Sequence, residues 1–296
     1  MLHFLPQPIK GTIATLIFIL NTMFWCVLLY LVALIKLLPI LNLRTACSKA
    51  MIWIAETWIA GNSFEIALMH DVKWDIRLPE NLRLDRSYLV IANHQSWVDI
   101  VAIQHALNRK IPFLRFFLKS DLRYVPFLGA AWKALDFPFM KRYSKEFLLK
   151  HPEKRGEDLA ETKRACDKLR GKPISILNFL EGTRFTLRKQ ERSKSTFKHL
   201  LTPKTGGIAF VIEAMGDQFD AILDVTLQYP GGAKTLWGLF SGKIDAITVW
   251  VDRIEIPREM LGGNYFGDDD FRQRMQTWMQ DIWKAKDERL SRLVAT

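Results

Sequence analysis

The chain has 296 residues, 49% of them hydrophobic, with 12 Pro and 16 Gly, so a sizeable core is within reach and the composition argues against disorder. Its net charge of +11 suits an anionic partner, and nucleic acid, an anionic membrane face and a phosphorylated substrate all satisfy that sign. Three cysteines, Cys26, Cys47 and Cys166, are odd in number and widely spaced, which argues against a disulfide framework or a structural zinc site and points to a reducing compartment.

Charge is unevenly spread: residues 1–70 carry six charged side chains and the other 226 residues carry 67. Residues 12–38 are almost wholly apolar, interrupted by Asn21 and Lys36, and predict a helix long enough to cross a bilayer, ended by Pro39. The run is longer than a signal-peptide core and no small-residue cleavage pattern follows it. Residues 46–60 predict an amphipathic helix with Met51, Ile54, Ala55, Trp58 and Ile59 on one face. Two arrangements fit, a span followed by a surface helix, which we put first, or a hairpin dipping into one leaflet. Arg44 and Lys49 after the apolar run outweigh Lys10 before it, which places the rest of the chain on the cytoplasmic face. The expected division is an anchor over 1–66 and a catalytic domain over 67–296.

Beyond residue 70, short strands alternate with helices. Strands are predicted near 72–78, 88–92, 111–118, 136–140, 174–180, 221–229 and 246–256, the last two separated by the turn Pro230-Gly231-Gly232. Helices are predicted over 97–108, 126–135 and 157–170, the last with Leu159, Cys166 and Leu169 near one face. A final helix is capped by residues 268–270, and Phe271, Met275, Trp278, Met279, Ile282 and Trp283 form one stripe, which we assign first to core or subunit packing, with membrane contact through its tryptophans as the second option. This alternation predicts an α/β fold with a mostly parallel sheet flanked by helices, whose site lies beyond the carboxyl ends of the strands.

Two polar motifs follow predicted strands. After 88–92 comes Asn93-His94-Gln95-Ser96-Trp97-Val98-Asp99, a strand-to-helix turn on which a histidine and a carboxylate can meet. A carboxylate on one imidazole nitrogen fixes the tautomer and frees the other nitrogen to take a proton from a substrate hydroxyl. Asp99 as a plain helix cap and His94 as a turn residue is the competing reading. After 174–180 comes Glu181-Gly182-Thr183-Arg184, where glycine permits close backbone approach and arginine offers a planar fork for phosphate. Residues 184–204 hold seven basic side chains against Glu191, which also fits a solvated loop or docking on anionic lipid.

Together the motifs resemble those of the glycerophospholipid acyltransferase family, whose block I reads N-H-x-x-x-x-D and block III F-P-E-G-T-R, the latter here Phe179-Leu180-Glu181-Gly182-Thr183-Arg184. The resemblance covers roughly residues 70–240, and 179–186 with 200–207 look most like 1-acylglycerol-3-phosphate acyltransferases of the bacterial YihG-type inner-membrane branch. It implies that His94, oriented by Asp99, deprotonates the acceptor hydroxyl as it attacks an acyl-CoA or acyl-carrier-protein thioester. No acyl-enzyme and no cofactor are then needed, and the acyl chain occupies an apolar tunnel near the membrane. Glu181, Gly182, Thr183 and Arg184 are implied to bind the acceptor, with Arg184 on its phosphate. Arg142 matches the phosphate-contacting arginine of block II, and Lys204, in Pro203-Lys204-Thr205-Gly206-Gly207, is a further phosphate candidate. The chain departs from the pattern at Leu180, at Lys141 and at Asp224-Val225-Thr226, where proline, an acid and proline are usual.

Other classes fare worse. No G-x-S-x-G elbow is present, which disfavours a serine hydrolase. Six histidines are scattered without H-E-x-x-H, so no metal is expected. A membrane-tethered basic module rests on charge alone, and no nucleic-acid motif supports it. The expected partners are a lysophospholipid acceptor, the thioester donor and anionic membrane lipid, in a bacterial inner membrane.

Overall fold

The computed structural model describes residues 6–140, 151, 164 and 166–295. Two 29-residue helices open the fold, α1 (Gln7–Ile35) and α2 (Leu41–Met69). Helix α2 runs beyond the predicted 46–60 at both ends, because Ile66 and Met69 continue the buried stripe of Met51, Ile54, Ala55 and Ile59. The helices pack as an antiparallel hairpin. Asn21 clasps it, donating to Trp58 O at 3.2 Å and Asn62 Oδ1 at 2.8 Å and accepting from Trp25 Nε1 at 2.9 Å. Gly61 leaves the room this needs, since a Cβ there would lie 2.9 Å from Asn21 Oδ1. Leu16, Leu20, Phe24, Val27, Leu31 and Leu34 remain exposed along α1, which is long and apolar enough to cross a membrane.

The strands are β1 (Lys73–Arg77), β2 (Ser87–Ala92), β3 (Leu114–Phe116), β4 (Leu118–Lys119), β5 (Phe139–Met140), β6 (Ser175–Phe179), β7 (Phe219–Gln228) and β8 (Ala246–Ile254). Six of them form a sheet in the order β1-β8-β7-β2-β6-β3, parallel throughout except for the β7–β8 pair. The expected mostly parallel α/β fold is therefore observed. Apolar runs such as Tyr88-Leu89-Val90-Ile91-Ala92 suit a central strand buried on both faces. The predicted strand over 111–118 breaks at Phe117 into β3 and β4, and β4 leaves the main sheet to pair with β5.

Helices α3 (Val98–Leu107) and α4 (Leu128–Ala134) join the α1–α2 hairpin over one face of the sheet, on Val90, Ala92, Leu177 and Val225. On the other face, Leu89, Ile91, Ile176 and Ile222 meet α6 (Thr205–Met215) and α8 (Asp269–Ala295). The predicted stripe on α8 packs into this second core, with Trp283 fully buried and Trp278 partly so. Asp268 Oδ1 caps α8 by accepting from Phe271 N at 3.0 Å. Short helices α5 (Leu187–Ser193) and α7 (Leu236–Phe240) are also present among the described residues. Helix α5 lies inside the basic stretch read as loop, nucleated where Thr186 Oγ1 accepts from Lys189 N. Of the helix predicted over 157–170, only the end is described, with Cys166 and Leu169 buried; Leu159 lies outside the described residues.

Candidate active site

Parallel pairing sets β2 and β6 level, Ala92 opposite Phe179, so the turns carrying His94 and Glu181 emerge side by side. The two are laced together. His94 N donates to Glu181 Oε1 at 3.2 Å, Phe185 N donates to His94 O at 2.7 Å, and the His94 ring stacks on Phe179 with centroids 4.0 Å apart. On the other side, the Asn93 amide both donates to Leu227 O (2.9 Å) and accepts from Leu227 N (2.8 Å), fixing the turn to the end of β7.

Asp99, in the first turn of α3, meets His94 as the spacing allows: His94 Nδ1 lies 2.7 Å from Asp99 Oδ2. An ionised carboxylate only accepts, so Nδ1 carries the proton and Nε2 is left to take another. The His94 side chain is 18% exposed while that of Asp99 is fully buried, which puts the reactive nitrogen at the surface of the site and its orienting group beneath. Asp99 Oδ2 also accepts from Gln95 N and Ser96 N, and Tyr229 donates to Oδ1 at 2.6 Å.

The Glu181 side chain is buried beneath the turn, and its Oε1 accepts the backbone N–H of His94, so it braces that turn from below. Burial pushes its pKa up to about 8 against the lowering pull of the backbone N–H groups of His94 and Leu201 and of Lys286. Gly182 takes φ +65°, and Lys204 lies across it: a Cβ at Gly182 would sit 3.0 Å from Lys204 Cδ and 3.1 Å from Nζ. Thr183 Oγ1 and Arg184 O both accept from Lys189 Nζ, at 2.7 and 2.9 Å. The Arg184 guanidinium lies 5.6 Å over the Trp97 ring. Lys141 and Arg142 lie outside the described residues.

Two hollows flank the dyad. A cavity of about 200 Å³ is lined by Asn178, Phe179, Gly182, Lys204 and Gly207, at the N-terminus of α6, where helix dipole and free N–H groups favour an anion. Lys204 lines it; Arg184 sits instead on the Trp97 side of the turn. The other, about 290 Å³ and overwhelmingly apolar, runs between the α1–α2 hairpin, α3 and α4, with Trp25, Leu29, Trp58, Ile100, Val101 and Phe116 in its wall. Trp97 belongs to this wall as well as lying under Arg184, so the apolar cavity reaches the turn that carries the dyad.

The sequence reading missed several groups. Asp224 and Thr226, where proline is usual, face α8: Lys286 Nζ lies 2.7 Å from Asp224 Oδ1, Arg289 donates to Thr226 Oγ1 at 2.6 Å, and Arg289 also pairs with Asp252. Tyr229 follows a strand paired with the one leading to His94, a neighbourhood that no local motif announces.

A profile of the Acyltransferase family matches residues 73–229. Lysocardiolipin acyltransferase 1 from Gallus gallus is 28% identical over 69% of this chain and 53% of its own, and that from Danio rerio 25% over 87% and 66%. Human 1-acyl-sn-glycerol-3-phosphate acyltransferase delta is 26% identical over 67% of this chain and 51% of its own. The chain thus spans half to two thirds of the length of these curated relatives. The crystal structure of the 1-acyl-sn-glycerophosphate acyltransferase PlsC from Thermotoga maritima shares the fold, with a TM-score of 0.58 at 16% identity over 96% of this chain and 98% of that one. With the family profile spanning both motifs and the histidine–aspartate pair, this chain belongs to the Acyltransferase family.

Proposed function

We propose that the protein is a membrane-bound acyltransferase that moves a fatty acyl chain from acyl-CoA or acyl-carrier protein to the free hydroxyl of lysophosphatidic acid, giving phosphatidic acid. The His94–Asp99 pair carries this reading. His94 Nε2 takes the hydroxyl proton as the acceptor oxygen attacks the thioester carbonyl. The tetrahedral intermediate collapses with loss of the thiolate, which receives that proton from the imidazolium, leaving ester and free thiol. Asp99 holds the tautomer and stabilises the imidazolium.

The apolar cavity is the site for the acyl chain, and Trp97 brings its wall to the reacting centre. Lys204 and the N-terminus of α6 suit a phosphate monoester, with Arg184 and, on sequence grounds, Arg142 as further phosphate contacts. Helix α1 supplies the anchor, and the charge asymmetry around it supports a cytoplasmic catalytic domain at a bacterial inner membrane. Another lysophospholipid is the second reading, favoured by the relatives named for lysocardiolipin; glycerol-3-phosphate is a third.

Vesicle-reconstituted protein given a long-chain acyl-CoA or acyl-carrier protein, with lysophosphatidic acid, lysocardiolipin and glycerol-3-phosphate in competition, tests the assignment. Phosphatidic acid is the expected main product. Preference for another acceptor moves the assignment to that acceptor, and no acylation of any of them overturns it.

A further inference from the structure

Of the four donors around Asp99, three come from its own turn, namely His94 Nδ1, Gln95 N and Ser96 N, and all converge on Oδ2. The fourth is the hydroxyl of Tyr229, 130 residues away, which alone among the described residues reaches Oδ1, at 2.6 Å. We propose that Tyr229 is a positioning residue for the proposed acyl transfer, the outer member of a chain Tyr229–Asp99–His94 that holds the carboxylate in the plane His94 requires. The inference rests on the reading of His94 as the base.

The geometry leaves the hydroxyl one role. Asp99 is fully buried and, when ionised, cannot donate, so Tyr229 must. Burial and the neighbouring Asp99 push the Tyr229 hydroxyl well above its ordinary pKa, which keeps it protonated. Without that donor, the buried Oδ1 would have no partner among the described residues, and the carboxylate would turn to find one, drawing Oδ2 away from Nδ1. The reach is set by the fold: the Asn93 and Gln95 amides fasten the catalytic turn to Leu227, near the end of β7, and Tyr229 follows two residues on, just past the strand.

Tyr229→Phe keeps the ring and removes only this donor. In the full chain reconstituted in vesicles, kcat should fall roughly 10-fold or more, with KM for lysophosphatidic acid and acyl-CoA unchanged and the thermal midpoint lowered by only a few degrees, so that the variant is folded at the assay temperature. In an Asp99→Asn background the same change should have no further effect on the residual kcat, because the hydroxyl acts through the carboxylate. An unchanged kcat, or an equal loss in both backgrounds, overturns the proposal. A readout independent of turnover is the low-field Nδ1 proton of His94, assigned by its loss in His94→Ala. Its displacement in Tyr229→Phe supports the proposal even if the acceptor has been misassigned, and an unmoved resonance contradicts it.

Discussion

The backbone N–H of His94 donates to the Glu181 carboxylate at 3.2 Å, so two motifs 87 residues apart form one hydrogen-bonded unit. Glu181 is the brace of that unit, and its chemistry sets a pH dependence of stability. The unfolded carboxyl titrates near its ordinary 4.5 and the folded one near 8, raised mainly by burial. Between those values the folded chain holds the extra proton, so this group's contribution falls as pH rises through that window and is fully lost above it. Glu181→Gln keeps a neutral acceptor and should flatten the pH dependence of the thermal midpoint while retaining activity. An identical pH profile in variant and native protein would sink the assignment.

Gly182→Ala tests the turn. An alanine at φ +65° costs about 1–2 kcal/mol, and its Cβ would press on Lys204, whose flexible end gives way. The expected result is a modest drop in thermal midpoint and a larger rise in acceptor KM than in donor KM. Arg184→Ala should also raise acceptor KM; an effect confined to the donor would place Arg184 on the other substrate.

Ala131 is buried in the wall of the apolar cavity. Ala131→Leu should shorten the acyl chain accepted, lowering kcat/KM for long-chain donors while sparing medium-chain ones, at an overpacking cost of about 1–3 kcal/mol. Equal loss across chain lengths would argue that the chain lies elsewhere.

Lys286 and Asp224 join α8 to β7 inside the second core. Lys286→Met leaves Asp224 with only the Arg289 guanidinium, 3.4 Å from Oδ2, and should cost up to about 3 kcal/mol, measured by denaturant unfolding. Pairing it with Asp224→Asn should recover part of that loss; additive losses would show that the two do not act as a pair.

The parts legible in the sequence were those written locally. Hydrophobic runs located the central strands, and the five-residue spacing from His94 to Asp99 allowed the two to meet, because both sit on one strand-to-helix turn, although a plain helix cap fitted the same spacing. The stripe on α8 was readable from its period alone. Roles set by distant partners were not. Glu181 reads as a ligand in its motif, yet strand register turns it beneath His94. Asn21 reads as a flaw in an apolar run and proves to be the clasp of the hairpin, since Asn62 lies 41 residues on. Asp224 and Thr226 read as departures from a pattern until Lys286 and Arg289 arrive from the last helix.

The central claim is that His94 is the base for acyl transfer, and the most direct measurement is the rate of phosphatidic acid formation from long-chain acyl-CoA and lysophosphatidic acid. Membranes carrying native protein are compared with membranes carrying equal amounts of folded His94→Ala. The account predicts transfer by the native protein and a loss of about 10²–10⁴-fold in the variant. Transfer at the native rate by His94→Ala would contradict it.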